Sequence, residues 1–305
     1  MNQNSTMPIA SFMPRRTRAP RWLLPALLAL LLAACSLGRF GYNNGDTLIY
    51  WWLNGYVEFD SGQRPWVQQR IDNLMSWHRH SQLKTYIPVL AAAQRRLEHD
   101  VTKAEVLADY QDITQLIDRI FEQAAPDLAD LAISMNADNM AQLKKKFEEN
   151  DEKFRKDYLK GDHEERQEHR YKMVMEWAEY WFGDFSAEQE AAIRRASDAR
   201  PLNNEMWVAD RVQRQQALIA LLARIHQEKL THDAATVLIK DFMESNYLVR
   251  TSATPEMKAF FDASKDAVAQ LTVFIINLAT PKQRQHAKDK LQQWIDDLNV
   301  LALQT

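Results

Sequence analysis

The residues that could carry chemistry are few and scattered. His163-Glu164-Glu165-Arg166-Gln167 approaches the pattern in which two histidines, four apart on a helix, bind zinc while the Glu between them acts as base. Position 167 is Gln where the second His is needed. Glu165 and His169 share a helix face at a spacing suited to metal ligands, but no third ligand accompanies them. His78 and His80 are two apart and face different ways on a helix. Acid pairs such as Asp296-Asp297 read as solvated helix surface. The sequence holds no nucleophile elbow, P-loop or dinucleotide glycine pattern. These residues give no catalytic set and no metal set. The remaining reactive group is the thiol of Cys35, the single cysteine among 305 residues.

What precedes Cys35 says what that thiol is for. Arg15, Arg16, Arg18 and Arg21 form a basic stretch, and an apolar run from Trp22 to Leu32 follows. The run is shorter than the roughly 20 apolar residues that a bilayer span needs, and it has the layout of a secretory signal. Met7 and Met13 offer alternative starts. The box Leu32-Ala33-Ala34-Cys35 resembles the lipobox of bacterial lipoproteins. The resemblance implies diacylglyceryl transfer to the Cys35 sulfur, cleavage after Ala34 and acylation of the new amino group. Two or three acyl chains hold a protein stably at a membrane where one holds marginally. Ser36 stands where Asp favours the inner membrane in enterobacterial lipoproteins. The expected address is therefore the outer membrane, on its periplasmic face.

The expected organisation is a signal peptide over 1–34, a lipidated Cys and tether over 35–45, and one all-helical periplasmic domain over 46–305. Residues 1–34 carry four arginines and no acid, so their removal takes the formal charge from −3 to −7 and leaves 271 residues. An acidic surface disfavours nucleic acid as a partner. With Cys35 acylated no disulfide is available, and no cofactor is expected beyond that covalent lipid. Glycine is scarce: seven in all, five of them between Gly38 and Gly62. Strand-rich folds consume Gly at tight turns, whereas this chain abounds in Ala, Leu, Gln, Glu, Lys and Arg.

The fold class expected is all-α, a multi-helix bundle of antiparallel helices with a long charged helical hairpin. Capping boxes announce several starts: Asp60 with Gln63, Thr102 with Glu105, Asp162 with Glu165, Ser186 with Gln189, and Thr280 with Gln283. Phe59, Val101 and Phe185 precede three of them as hydrophobic staples. The periodicity predicts helices over 64–80, 84–99, 103–124, 127–135, 138–160, 163–182, 187–199, 204–229, 232–246, 255–279 and 281–302. Met140, Leu143, Phe147, Asn150 and Phe154 keep one narrow seam among charges, and Met173, Trp177 and Trp181 mark the next helix at four-residue spacing. Together they predict a hairpin over about 138–182, with a solvated tip at Gly161 and an apolar base near Phe182.

In the aromatic segment from Leu48 to Tyr56, Leu48, Trp52 and Tyr56 share a helix face. Trp51, Trp52 and Tyr56 are the candidate interaction residues. They have two readings: rest at a membrane interface, where Trp is favoured, or closure of one end of the helical core. Nine tryptophans spread along the chain favour the core, as packing anchors.

Two resemblances follow from these stretches. Tyr42 to Trp52, then Tyr56-Val57-Glu58-Phe59, Gln63 and Trp77-His78-Arg79, resemble a proteobacterial lipoprotein family of unknown function, most clearly from Cys35 to about Leu90. That family implies no activity. Phe185-Ser186-Ala187-Glu188-Gln189 and Leu278-Ala279-Thr280-Pro281-Lys282-Gln283-Arg284 resemble the LTxxQ boxes of periplasmic Spy-like stress chaperones, small helical hairpins that bind unfolded clients. Here the Leu before Ser186 and the one directly before Thr280 are missing.

The functional expectation is a membrane-anchored, non-enzymatic binding or chaperone-like protein, with a periplasmic protein or unfolded client as partner. The alternatives are a hydrolase of envelope polymer or lipid with a Trp-lined acidic cleft, and a structural spacer.

Overall fold

The computed structural model describes residues 38–248 and 254–304. Cys35, Leu32, Ala33 and Ala34 lie outside the described residues. Among those described, the chain is all-α: eleven α-helices and no strand. In chain order they are α1 (Gly45–Val57), α2 (Gln63–Trp77), α3 (Leu83–Arg96), α4 (Lys103–Ser134), α5 (Ala137–Tyr158), α6 (His163–Phe182), α7 (Ala187–Asp198), α8 (Asn204–Gln227), α9 (His232–Met243), α10 (Pro255–Leu278) and α11 (Pro281–Leu301). A helical turn over residues 38–43 precedes α1.

Two apolar cores organise these helices. The first gathers Val57, Phe59, Val67, Ile71, Ala125, Ala129, Leu143, Ile225 and Ile239, from α1, α2, α4, α5, α8 and α9. The second gathers Leu97, Met175, Ala178, Phe182, Ile193, Leu271, Ile275 and Leu291, from α3, α6, α7, α10 and α11. The chain alternates between them. It leaves the first core through α3, returns along α4, crosses again at α6, comes back with α8 and α9, and finishes in the second.

Three expectations change. Residues 103–134 form one helix through Pro126 rather than two. A proline inside a helix costs about 3 kcal/mol. Ala125, Ala129 and Ala132 on that stretch are fully buried against the first core, and their small size lets neighbouring helices approach. Packing thus carries the helix past the break that local propensity suggests. Likewise α2 and α3 are continuous through a π-helical turn, His78–Gln82. The hairpin over 138–182 does not exist as a packed pair. α5 lies on α1 and α8, while α6 lies on α7 and α11. The two meet at their shared turn, where Arg166 donates to Leu159 O at 2.6 Å and Tyr158 abuts the His169 ring. The seam of α5 has another partner: Leu143 is buried in the first core, Asn150 donates to Tyr56 Oη at 3.0 Å, and Asp151 is buried. Asp151 accepts from Arg211 Nε at 2.7 Å and Gln215 Nε2 at 2.8 Å on α8.

Gly161 does form the turn between them, at φ +83°. There a left-handed backbone excludes most side chains.

Candidate functional site

The capping boxes do more than start helices. Ser186 Oγ accepts from Gln189 N, and the Gln189 side chain accepts from Ser186 N at 3.0 Å. Thr280 and Gln283 repeat this. The two glutamines then meet across the second core: Gln189 Nε2 donates to Gln283 Oε1 at 3.0 Å, and Gln283 Nε2 to Gln189 Oε1 at 3.2 Å. Each also reaches the end of the other's preceding helix, Gln189 to Leu278 O at 3.1 Å and Gln283 to Asp184 O at 2.7 Å.

The first core carries the same device. Gln63 serves the Asp60 box, and Asn139 serves a box at Asn136 that the sequence reading missed. Gln63 Nε2 donates to Asn139 Oδ1 at 3.1 Å and to Ser134 O at 3.0 Å, while Asn139 Nδ2 donates to Val57 O at 2.8 Å. Its signal was available: Asn-x-x-Asn is a weaker form of the Ser/Thr-x-x-Glu/Gln box. These networks are structural, because their amide groups are spent on helix ends.

An apolar cleft of about 1290 Å³ opens between α3, α4, α6, α8, α10 and α11. It exceeds the roughly 300–1,000 Å³ usual for small-molecule pockets. Four tryptophans line it: Trp177, Trp181, Trp207 and Trp294. Trp181 and Trp294 lie 5.5 Å apart, and Trp294 Nε1 donates to Tyr180 Oη at 2.9 Å. Trp207 meets Phe261 edge-on at 4.9 Å. The opposite wall is the α4 stripe of Tyr110, Ile113, Ile117 and Ile120. Tyr110 and Ile113 are about half exposed, as is Trp177. Of the tryptophans expected as core anchors, Trp66 and Trp181 do pack on the two cores, while Trp177, Trp207 and Trp294 stand partly exposed on the wall of a cleft. Their spacing is the same for a filled face and an open one, so sequence periodicity could not separate the two.

The charged groups around the cleft are engaged, most of them with one another along its wall. Asp109 pairs with Arg96. Asp262 holds Lys258 at 2.6 Å. Glu105 is spent in the Thr102 box, whose hydrogen bonds hold its carboxyl below the usual range. Lys265 lies 4.4 Å from the centre of the Tyr110 ring. Arg214 pairs with Asp210 at 2.8 Å. Burial pushes Asp127 upward, but it faces Arg70 at 3.4 Å and is not part of the cleft wall. An acid held protonated beside an ionised partner is the mark of carboxylate catalysis, and the cleft offers no such arrangement among the described residues.

The candidates named from sequence disperse. Glu165 is the reach-back residue of the Asp162 box at 3.1 Å, and His169 packs on Tyr158. His78 sits in the π-helical turn between Tyr42 Oη at 2.8 Å and Tyr86 Oη at 2.6 Å. Asp297 is not free surface: it accepts from Arg39 Nε at 2.5 Å, which pins the N-terminal turn to α11. Among the described residues no group of three His, Asp or Glu could hold a metal ion. Of the three aromatic candidates, Tyr56 packs against the first core and Trp52 leans on it at 5.0 Å. Trp51 and Trp52 are exposed, at 71% and 61%, rather than closing the core. The buried face of α1 runs through Ile49, Tyr50, Leu53 and Val57 instead.

The model of the DUF6279 family, a family of unknown function, matches residues 55–243, more than half of the chain. The chain belongs to DUF6279. No curated protein and no solved structure matches it. The DUF6279 match begins at Gly55, so of the residues that carried the likeness Tyr56 to Phe59, Gln63 and Trp77 to Arg79 fall inside it, and Tyr42 to Trp52 falls outside. It takes in the Asp60, Asn136 and Ser186 boxes, while α10 and α11, with the Thr280 box and one side of the cleft, lie beyond it.

Proposed function

We propose that this protein is a lipid-anchored, non-enzymatic binding protein of the bacterial envelope. Its cleft takes an apolar guest of acyl-chain type. The anchor is Cys35, and Ser36 directs it to the periplasmic face of the outer membrane. One observation carries the reading of the cleft: a wide, Trp-walled apolar cavity whose carboxylates are all engaged in ion pairs or caps. That supports holding a guest over hydrolysing one. A rigid spacer would gain nothing from leaving so much apolar surface open to water.

An acyl chain suits the walls better than a polypeptide. Each residue of a client brings an N–H and a C=O that need partners. The charged groups of the walls are already engaged and leave few partners for a backbone, whereas an alkyl chain asks for none. The chaperone-like reading draws support from the openness of the groove, since half-exposed Tyr110 and Ile113 would admit an extended segment.

The test titrates the chain begun at Ser36 with a fluorescent C16 fatty acid. That start removes nothing the structure describes. Saturable binding that weakens when Ile113 becomes Arg supports the acyl-chain reading. Suppression of client aggregation without acyl binding moves the assignment to a chaperone. Neither result would sink both.

A further inference from the structure

The N-terminal turn and α1 form an almost unbroken helical path. Across Asn44, where regular helix is interrupted, Asn44 N donates to Phe40 O at 3.1 Å and Leu48 N to Asn44 O at 3.0 Å. At about 100° per residue, Phe40, Trp51, Gly55, Leu48 and Trp52 fall within an arc of about 120° on this path. All are exposed, the four apolar side chains at 57–71%. No charged side chain stands in the arc. Arg39 and Asp46 lie on the far side, and Arg39 is neutralised by Asp297.

An exposed face this apolar on a folded helix calls for a covering partner. The chain's own geometry names it. Cys35 is three residues from Gly38, and three extended residues reach at most about 11 Å. An acylated Cys35 therefore holds the bilayer surface within that distance of Gly38, two residues ahead of Phe40, the first member of the stripe. Trp is favoured at the interface between headgroups and acyl chains. The far wall of α1 is packed on α2 and α5, so the helix cannot turn its stripe inward.

We infer that the stripe of Phe40, Leu48, Trp51 and Trp52 docks into the membrane interface, so that α1 lies on the bilayer and sets the protein's orientation. The inference takes its choice of partner from the reading of Cys35 as acylated. Because the stripe has no Lys or Arg, docking is apolar and does not require anionic lipid.

The test mixes the chain begun at Ser36, which has no acyl group, with neutral phosphatidylcholine vesicles, and measures co-flotation. Binding is expected, it persists at high salt, and Trp51→Glu with Trp52→Glu lowers it more than about ten-fold. Val237→Glu, at an equally exposed site on α9, leaves it unchanged. Absence of binding overturns the inference. So does binding that needs anionic lipid, or that falls with Ile113→Arg in the cleft instead of with the Trp variants. Acylation is read separately, by lipid labelling of the full chain with and without Cys35→Ser. Failure there removes the anchor, while the vesicle result still decides the stripe.

Discussion

Gln189 and Gln283 hydrogen-bond to each other with both ends of their amides, at 3.0 and 3.2 Å, although 94 residues separate them. Each is the reach-back residue of its own helix cap and a donor to the helix end beside the other's cap. In the first core Gln63 and Asn139 share a single hydrogen bond, Gln63 Nε2 to Asn139 Oδ1 at 3.1 Å, but are likewise reach-back residues that each donate to the helix end beside the other's cap. The two cores therefore share one joint, in which paired helix starts each satisfy a carbonyl at the end of the other's preceding helix. A buried amide with every group satisfied specifies one arrangement, because any slip orphans several groups together.

Gln283→Ala should accordingly destabilise the chain by about 1–3 kcal/mol, since Asp184 O and the partner amide both lose a hydrogen bond. Urea denaturation would measure it. In a double-mutant cycle with Gln189→Ala the two losses should be less than additive, as expected for residues sharing one network. Additive losses would mean that the amides act independently.

Asn139, at 2% exposure, is the matching test in the first core. Asn139→Leu removes the donor to Val57 O and the reach-back acceptor of the α5 capping box while adding no partner for Gln63. A loss of about 2–4 kcal/mol is expected. Asn136→Ser keeps an N-cap acceptor and should cost less than about 1 kcal/mol.

The hydrogen-bonded chain Tyr42–His78–Tyr86 should make stability depend on pH. Burial holds the His78 imidazole below its ordinary value, and pushes the Tyr42 hydroxyl up to about 12. Neutral His78 accepts from one tyrosine and donates to the other. As pH falls below about 6.5 the unfolded chain takes up a proton that folded His78 resists, so this contribution is full above that pH and declines through it. His232, raised by Asp233 and Asp130, acts in the opposite sense. The comparison is thus wild type against His78→Phe: the gap between their unfolding temperatures should narrow from pH 7.5 to pH 5. A gap that does not move would remove His78 from this role.

Gly161→Ala should cost about 1–3 kcal/mol. Its φ is +83°, and a Cβ there would collide with Glu165 Oε2, the oxygen that caps Asp162 N. Thermal denaturation would show the loss, and Gly55→Ala, whose Cβ meets nothing within 4 Å, serves as the control.

In the cleft, Ile113→Arg should lower affinity for an acyl probe at least about ten-fold while stability changes by less than about 0.5 kcal/mol, because Ile113 is half exposed. Asp262→Asn should leave affinity within about two-fold. A large effect of Asp262→Asn on an activity towards lipid or polymer would restore the hydrolase reading.

The all-α class was legible from scarce glycine and abundant helix formers, and five of the eleven helix starts from their capping boxes. Both are local: a cap closes within four residues and a propensity belongs to one residue. Three matters were decided only by the tertiary structure. Pro126 reads as a break, but the alanines around it pack too closely for the helix to end. The seam of α5 required a partner, and spacing alone could not say that α1 and α8 supply it rather than α6. Trp51, Trp177 and Trp294 carry the same signal whether a neighbouring helix covers them or water does. Periodicity reports which face is apolar. Whether that face is filled depends on where distant helices stand, and that is how the Trp-walled cleft and the uncovered stripe on α1 came to be open.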